Sequence, residues 1–330
     1  MIITKTPLRI SFFSGGSDMA AFYSRSPGAA LSVTIDKYIN VCLHDTPNRG
    51  IRTMYDQVDE HNDLDSIDHV ITREALRQYN ISKEITVASI SDILSKGSGL
   101  GSSSTFTVGL ANALAYRHGE KLSPQALAEL ACDIEINQCG FPIGKQDQYA
   151  AAFGGFNLFE FDASGNVTVT KPSINPATLE VLQQNLVLVY SGVSRSASTI
   201  LKKHNEAILD NTKFEIIKRG RDKAYQALDI LKQPPSQVKQ FGLLLHEAWV
   251  EKKQWVKEMT LSDLDKIYLH AIDSGAVGGK ILGAGGGGFF LFYVDAVDRE
   301  SFVQRMNDYS SQLKVYDFKF TWDGSRVFTI

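Results

Sequence analysis

The most informative stretch of this chain is Gly97-Ser98-Gly99-Leu100-Gly101-Ser102-Ser103-Ser104. It follows a strand-like run, 85–90, and precedes a segment, 105–118, whose apolar residues recur at helical spacing. Glycines let the backbone approach a ligand closely, and the first N–H groups of a helix have no partner within it. Those N–H groups, the helix dipole and the serine hydroxyls would together bind a phosphate group. A serine–glycine run is a weak signal by itself, so a flexible loop without a ligand is the alternative.

A second glycine-rich run, Gly283-Ala284-Gly285-Gly286-Gly287-Gly288, formally matches the Gly-x-Gly-x-x-Gly pattern of dinucleotide-binding proteins. That pattern requires a helix after the glycines. Here the glycines precede 289–294, an apolar and aromatic segment that is typical of a strand. The sequence therefore disfavours a dinucleotide-dependent oxidoreductase. Four adjacent glycines are more than a turn needs, which predicts close approach of this backbone to a ligand or to another backbone.

Composition and missing motifs exclude several classes of function. The 330 residues carry a formal net charge of −3, so neither a nucleic acid nor a membrane is expected as a partner. The cysteines Cys42, Cys132 and Cys139 lack metal-ligand spacing and are expected to be reduced thiols. The segment 1–5 is not part of a long apolar signal region, which favours a cytoplasmic protein. The sequence contains no Walker-type phosphate loop, His-Glu-x-x-His zinc motif or Gly-x-Ser-x-Gly nucleophile elbow.

Hydrophobic periodicity predicts an α+β protein rather than alternating strands and helices. Strands are predicted at 1–13, 29–45, 85–90, 186–190, 289–294, 314–320 and 326–330, with a hairpin over 153–170. Helices are predicted at 67–79, 105–118, 123–138, 196–209, 213–232, 236–258, 262–274 and 297–312. The polar segment 48–66 is predicted to be a surface excursion. The loop-like stretch 172–176 indicates a boundary between two domains, 1–175 and 176–330.

Three segments together resemble the GHMP (galactokinase, homoserine, mevalonate and phosphomevalonate) kinase superfamily. They are the segment from Pro7-Leu8-Arg9 to Gly15-Gly16-Ser17-Asp18, the loop 99–104, and the run 280–288. Their order and spacing along the chain are those of the superfamily. The resemblance implies an N-terminal domain like ribosomal protein S5 domain 2 and a ferredoxin-like C-terminal domain with extra helices. It also implies an enzyme that uses ATP and Mg²⁺, with ATP and a sugar meeting between the domains.

Four further segments, 6–11, 32–38, 144–150 and 191–198, resemble the D-glycero-D-manno-heptose 7-phosphate kinases of that superfamily. This resemblance implies phosphorylation of the anomeric hydroxyl of that small-molecule sugar phosphate to give the 1,7-bisphosphate. Many superfamily members have Glu-His-Thr-Asp where this chain has Gly-Gly-Ser-Asp at 15–18, so the sugar is expected to be held differently. The alternatives are a kinase for an unphosphorylated sugar such as L-fucose or galactose, and a non-catalytic ligand sensor.

The same resemblance implies roles for individual residues. Asp147 would be the catalytic carboxylate and Arg9 the active-site cation, while Glu135 and Ser102 would hold Mg²⁺. The ATP phosphates would be bound by Gly97, Gly99, Leu100, Gly101, Ser102, Ser103 and Ser104. The sugar would be bound by Gly16, Ser17, Asp18, Gly285 and Gly286. A sugar phosphate also needs a second anion site, for which Lys145 and Arg195 are the candidates, and either could instead contact an ATP phosphate. Each charged residue could instead be an ordinary loop or surface residue, and composition alone makes Asp133 as good a metal ligand as Glu135.

Overall fold

The computed structural model of the chain describes residues 1–14, 16–94, 97–193, 208, 210–255 and 262–330. The strands, in chain order, are β1 Ile2–Phe13, β2 Gly28–Asp45, β3 Ile51–Met54, β4 Val58–His61, β5 Ile85–Ser91, β6 Phe156–Phe161, β7 Val167–Thr170, β8 Leu186–Tyr190, β9 Ala276–Ile281, β10 Phe289–Val294, β11 Lys314–Tyr316 and β12 Arg326–Thr329. The described helices are α1 Ala20–Tyr23, α2 Val70–Gln78, α3 Ser102–Arg117, α4 Pro124–Cys132, α5 Gln146–Phe153, α6 Pro176–Asn185, α7 Asn211–Lys232, α8 Lys239–Trp255, α9 Ser262–Asp273 and α10 Arg299–Tyr309. A π-helical turn occupies Asp133–Gln138, and a short 3₁₀ turn occupies Pro235–Gln237.

The first sheet is built around the long strand β2. Eight strands of the described residues belong to it, in the order β12-β1-β2-β5-β3-β4, with β6 paired to β2 and β7 to β6. One half of β2 pairs with β5 and the other half with β6, and both pairings are antiparallel. Strand β12 pairs with β1, so residues 326–329 join the sheet that the first half of the chain builds. The division of the chain after residue 175 stays a prediction.

Helix α3 lies across β1 and β2 and is buried on most sides. The hydroxyl of Thr4 in β1 donates to the carbonyl oxygen of Gly109 in α3 at 3.0 Å. The N–H of Arg9, further along β1, donates to the carbonyl oxygen of Leu100 at 3.1 Å. These contacts fix the glycine-rich segment 97–101, which precedes α3, against β1.

The second sheet has the strand order β11-β8-β10-β9 among the described residues. All six residues of β10 are buried, because this strand lies between β8 and β9 and packs against helices. Trp249 of α8 packs with Phe290 and Phe292 of β10 in the core of this half. Strand β9 ends at Ile281, and its antiparallel partner β10 begins at Phe289, so the run 282–288 is the turn of the β9–β10 hairpin.

The predicted α+β class and the strands at 1–13, 29–45, 85–90, 186–190 and 289–294 are confirmed. The segment 48–66 lies mostly at the surface, as predicted, but it contains β3 and β4, which were not predicted because four-residue strands are too short to show a clear period. The helices α5 and α6 were not predicted, and the predicted helix at 196–209 falls almost wholly outside the described residues. In the part of the chain that the structure describes, no helix is long and apolar enough to cross a membrane.

Candidate active site

A cavity of about 1450 Å³ is lined by residues from both halves of the chain. One wall contains residues 97–99 and 101–104 and side chains of β1, whereas Leu100 is completely buried and does not line the cavity. Another wall is formed by the start of α5, which follows the π-helical turn. Helix α8 and the β9–β10 hairpin contribute Glu251, Lys252 and Lys280, and further carboxylates, among them Asp18 and Glu135, come from other parts of the chain. Polar groups from distant parts of the sequence therefore converge on one space, as in most ligand sites.

The segment 97–101 leads into a helix N-terminus that no side chain caps. Gly101 occupies the N-cap position of α3 with a φ of 78°, and no side-chain hydrogen bond caps the first turn. The three serines Ser102, Ser103 and Ser104 form that first turn, and all three line the cavity. Uncapped N–H groups at a helix N-terminus attract anions. The arrangement can bind phosphate, although the serines begin the helix instead of belonging to the loop.

The two glycine-rich segments pack against each other, backbone on backbone. A Cβ atom on Gly99 would lie 2.6 Å from the carbonyl oxygen of Leu282, and one on Gly288 would lie 2.5 Å from that of Gly97. Glycine is therefore needed at both positions for reasons of space. The sequence left open whether the backbone of 283–288 approaches a ligand or another backbone. The structure shows that it approaches another backbone, that of the segment 97–99.

Replacing Gly99 by alanine is expected to lower the free energy of unfolding by about 2–4 kcal/mol. Its φ of 78° is left-handed, and the new Cβ atom would overlap a backbone carbonyl of the β9–β10 hairpin. Gly119 is the matched control, because its φ is 79° and a Cβ atom there meets nothing within 4 Å. Gly119→Ala should cost only the backbone strain, about 1 kcal/mol. Urea unfolding measures both losses, and equal losses would contradict the described packing of the two segments.

Arg9 and Asp147 form a bidentate ion pair that lines the cavity. The Nε and Nη2 atoms of Arg9 donate to the two carboxylate oxygens of Asp147 at 2.8 and 2.6 Å. The side chain of Arg9 is 4% exposed and that of Asp147 is 26% exposed, so the carboxylate can still meet a ligand. The Nη1 atom of Arg9 donates to the carbonyl oxygen of Gly99 at 2.7 Å. The structure thus brings the predicted catalytic pair together and ties it to the glycine-rich segment.

Irregular pairing between β1 and β2 helps to direct the side chain of Arg9 toward the cavity. The register shifts between Pro7 and Arg9 and again between Ser11 and Phe13. Proline has no N–H to donate to the neighbouring strand, and β-bulges often redirect side chains next to active sites. A Cβ atom on Gly101 would lie 3.3 Å from the Cζ atom of Arg9, so a glycine there lets the helix start approach the guanidinium.

Asp18 is a buried carboxylate without a positively charged partner among the described residues. Its oxygens accept hydrogen bonds from the Ser14 hydroxyl at 3.1 Å and from the N–H of Gln146 at 3.4 Å. Burial raises the pKa of Asp18, and the charge of nearby Asp147 adds to the effect. A Cβ atom on Gly144 would overlap this carboxylate, so the space beside it depends on glycine. Such a group is suited to accept hydrogen bonds from the hydroxyl groups of a ligand.

Glu135 is completely buried in the π-helical turn that follows α4. One carboxylate oxygen accepts from the Ser103 hydroxyl at 2.7 Å, and the other accepts from the amide of Gln148 at 2.6 Å. Burial raises the pKa of Glu135, while the hydrogen bonds from the side chains of Ser103, Ser104 and Gln148 oppose that shift. The hydroxyl of Ser102, the predicted companion of Glu135, instead lies 2.9 Å from the hydroxyl of Ser98. Single π-helical turns are frequent at functional sites.

The turn after β1 contributes some, but not all, of the predicted sugar-binding residues. Gly16 and Asp18 line the cavity. Ser17 is completely buried, and its hydroxyl donates to the carbonyl oxygen of Ala29 at 2.8 Å. Its side chain therefore secures the turn to β2, which is a structural role.

The other predicted substrate residues lie away from the cavity or outside the described chain. The ammonium group of Lys145 donates to the carbonyl oxygen of Gly165 in the β6–β7 turn at 2.5 Å. Neither Lys145 nor the pair Gly285 and Gly286 is among the described residues that line the cavity. Arg195 lies outside the described residues.

Two lysines to which the sequence analysis gave no role line the cavity. The ammonium group of Lys252 donates to the carbonyl oxygen of Gly283 at 2.6 Å, and that of Lys280 donates to the carbonyl oxygen of Phe12 at 2.6 Å. Burial lowers the pKa of both lysines, that of Lys252 to about 8, and the charge of Arg9 adds to each shift. The only sequence signal was the position of Lys280 beside the second glycine-rich run.

Comparison with known proteins identifies the family. The pattern of the GHMP kinases N terminal domain matches residues 68–155. A D-glycero-alpha-D-manno-heptose 7-phosphate kinase from Campylobacter jejuni is 31% identical over 350 residues, which cover 100% of this chain and 99% of that protein. This chain belongs to the GHMP kinases. The family together with the heptose phosphate kinase relatives makes it an ATP-dependent sugar kinase.

Two other proteins show how far the likeness extends. The crystal structure of a D-glycero-D-manno-heptose 1-phosphate kinase from Bacteroides thetaiotaomicron matches this GHMP kinase with a TM-score of 0.81 and 25% identity, over 100% of this chain and 99% of that one. A bifunctional fucokinase/GDP-fucose pyrophosphorylase from Arabidopsis thaliana is 25% identical over 94% of this chain, which spans 32% of that protein. The structural match over the complete chain confirms the predicted fold.

Proposed function

We propose that this GHMP kinase transfers the terminal phosphate of ATP to the anomeric hydroxyl of D-glycero-D-manno-heptose 7-phosphate and forms the 1,7-bisphosphate. The proposal rests mainly on the Arg9–Asp147 pair, which adjoins an uncapped helix N-terminus. Phosphoryl transfer needs a phosphate cradle and an acceptor for the hydroxyl proton at one place. The names of two relatives support a heptose phosphate as the substrate, although those names differ in the carbon that carries the phosphate.

In the proposed reaction, Asp147 accepts the proton of the attacking sugar hydroxyl. Arg9 orients the carboxylate through two parallel hydrogen bonds, a geometry that restricts its rotation. Because Arg9 also donates to the carbonyl oxygen of Gly99, it connects the proposed proton acceptor to the glycine-rich segment. The first N–H groups of α3 bind phosphate oxygens of ATP, and Asp18 accepts hydrogen bonds from sugar hydroxyls.

The residues around Glu135 fit a bound Mg²⁺ ion. Carboxylate and hydroxyl oxygens are ligands that Mg²⁺ prefers, and the described hydrogen-bond donors to this buried carboxylate are neutral. Glu135 would hold the ion together with serine hydroxyls of α3. The Ser103 hydroxyl donates to the carboxylate of Glu135, and Ser102 is the preceding residue of the helix. When bound, Mg²⁺ would neutralise phosphate charge during the transfer.

The substrate assignment is tested by ADP formation from ATP and Mg²⁺ against a panel of sugars. The panel contains the heptose 7-phosphate, mannose 6-phosphate, sedoheptulose 7-phosphate, L-fucose and galactose. We expect kcat/KM for the heptose 7-phosphate to exceed the others by about 10²-fold or more, because buried polar groups reject ligands that leave them unpaired. Nuclear magnetic resonance of the product should place the new phosphate on C1.

Other outcomes would redirect the assignment in defined ways. Turnover confined to L-fucose or galactose would exclude the heptose phosphate and support the second candidate, which the fucokinase relative favours. A new phosphate on a carbon other than C1 would contradict the anomeric position. Binding of ATP with no turnover of any sugar would count against the proposed reaction.

A further inference from the structure

Lys252 and Lys280 place two ammonium groups at the cavity without acidic partners. Within the described part of the chain, neither has a carboxylate within salt-bridge distance, and their hydrogen bonds go to carbonyl oxygens. Each lysine carries three N–H donors. The described contacts therefore leave two donors of Lys252 and one donor of Lys280 for a ligand.

The two lysines come from different elements and lie near the residues that hold Asp147. Lys280 of β9 donates to the carbonyl oxygens of Ser11 and Phe12 in β1, at 3.3 and 2.6 Å. Ser11 is two residues beyond Arg9 on this strand, which corresponds to roughly 7 Å. Lys280 thus lies along β1 from Arg9, where burial lowers its pKa and the nearby charges of Lys252 and Arg9 lower it further.

Among the described Lys and Arg side chains that line the cavity, Arg9 is paired with a carboxylate and Lys252 and Lys280 are not, so the charge at these two lysines favours an anionic ligand, although carboxylates such as Asp18, Glu135 and Glu251 also line the cavity. The charge of Arg9 is compensated by Asp147, and the N-terminus of α3 provides a separate place for the phosphates of ATP. Burial of Lys252 and Lys280 disfavours their ammonium forms, and a bound anion would restore them. A phosphate monoester carries roughly −1.5 to −2 charges at pH 7, which matches two lysines.

We propose that Lys252 and Lys280 form the subsite for the phosphate group that the sugar substrate already carries. This inference rests on the proposed function, because it assumes a sugar hydroxyl at Asp147. It makes phosphorylated sugars the substrate class, since an unphosphorylated sugar would supply no counter-charge for the two buried lysines. It also replaces the earlier expectation for Lys145, whose ammonium group is bonded to the β6–β7 turn.

The test compares Lys252→Met with Lys253→Met, using the heptose 7-phosphate and the unphosphorylated heptose. Methionine keeps most of the length of lysine and removes its charge. Lys253 is the matched control, because it is the next residue of α8 and forms an ion pair with Asp265 at 3.1 Å. We expect Lys252→Met to raise KM for the phosphorylated sugar by about 10- to 100-fold, with kcat and the KM of the unphosphorylated sugar little changed. Lys253→Met should change neither KM.

Two results of this comparison would overturn the subsite. If Lys252→Met lowers kcat equally for both sugars, the lysine acts on the transferring phosphoryl group instead. If KM for the phosphorylated sugar stays unchanged, Lys252 does not bind its phosphate. Thermal unfolding and circular dichroism of the variant show whether it is folded, and Lys252→Arg should recover most of the affinity if charge is what matters.

Equilibrium binding separates this inference from the proposed reaction. Calorimetric titration of the wild-type protein with the heptose 7-phosphate needs no turnover. Binding that Lys252→Met weakens and Lys253→Met preserves supports the subsite even if no product forms. Binding that is absent in the wild-type protein, or equal in all three proteins, overturns the subsite even if the protein proves to be a kinase for another sugar.

Discussion

Asp147→Asn is expected to lower kcat by about 10³-fold, because the asparagine amide cannot accept the proton of the sugar hydroxyl. The substitution also breaks a bidentate pair whose other member, Arg9, is almost completely buried. Asparagine would turn an amide donor toward a guanidinium donor, so the free energy of unfolding should fall by about 1–3 kcal/mol. The affinity for ATP should change little, since the N-terminus of α3 is unaltered. Steady-state kinetics and nucleotide titration measure these effects.

A double variant separates the chemical role of Asp147 from its structural role. Combining Arg9→Met with Asp147→Asn removes the unpaired guanidinium, so stability should recover relative to Asp147→Asn. Activity should not recover, because the proton acceptor is still missing. A single variant that keeps more than about a tenth of the wild-type kcat would exclude Asp147 as the general base.

The ion pair shows what the sequence could and could not reveal about the site. Arg9 and Asp147 are 138 residues apart, and no periodicity relates them. The resemblance to the GHMP kinases brought them into one hypothesis, and the structure shows them in contact. The uncapped helix N-terminus after the glycine-rich segment, by contrast, was predictable from the residues themselves, and phosphate binding there stays a prediction.

The companion of Glu135 could not be predicted from spacing. Successive residues of α3 point about 100° apart, so only the actual rotation of that helix decides between Ser102 and Ser103. The π-helical turn at Asp133–Gln138 further changes the direction of Glu135 relative to a regular helix. Lys252 was missed for a similar reason, because its place at the cavity follows from how α8 packs on β9.

The strands were predictable where the sequence shows a long run of consecutive or alternating apolar residues. Strand β10 has six consecutive buried apolar residues, and β2 alternates over much of its 18 residues. Strands β3 and β4 each have four residues, and β3 pairs in parallel with β5, a partner about 30 residues away in sequence. The formation of such a short strand depends on pairing with a strand that is distant in sequence, and the local sequence pattern does not identify that strand.

Glu135→Gln should make the protein more stable and much less active. The wild-type carboxylate is completely buried, and burial raises its pKa, so its charged form is unfavourable in the folded state. Removing that charge should raise the free energy of unfolding by about 1–2 kcal/mol at neutral pH. The side-chain oxygen of Gln148 is buried without a hydrogen-bond partner among the described residues, so Gln148 can flip and accept from the new amide. In that arrangement the amide N–H groups of Gln148 lose Glu135 as their acceptor, which offsets part of the expected gain in stability.

The pH dependence gives the sharpest check on this stability gain. A group whose pKa is raised by folding stabilises the protein while it is protonated and loses that contribution as pH rises through the raised pKa. The advantage of Glu135→Gln over the wild-type protein should therefore grow as pH rises above the ordinary glutamate range. An advantage that is constant with pH, or a loss of stability, would show that the buried carboxylate is not under electrostatic strain.

The activity of Glu135→Gln should fall by about 10²- to 10³-fold, since a neutral amide is a poor ligand for Mg²⁺ beside the phosphates. Glu129→Gln is the matched control, because Glu129 lies on α4, before the π-helical turn that contains Glu135, and is exposed. It should change the free energy of unfolding by less than about 0.5 kcal/mol and leave kcat unaltered. A higher free energy of unfolding together with a lower activity in Glu135→Gln, and neither change in Glu129→Gln, would show that the buried charge destabilises the fold but is required for the reaction. A Glu135→Gln protein with full activity would exclude Glu135 as the metal ligand.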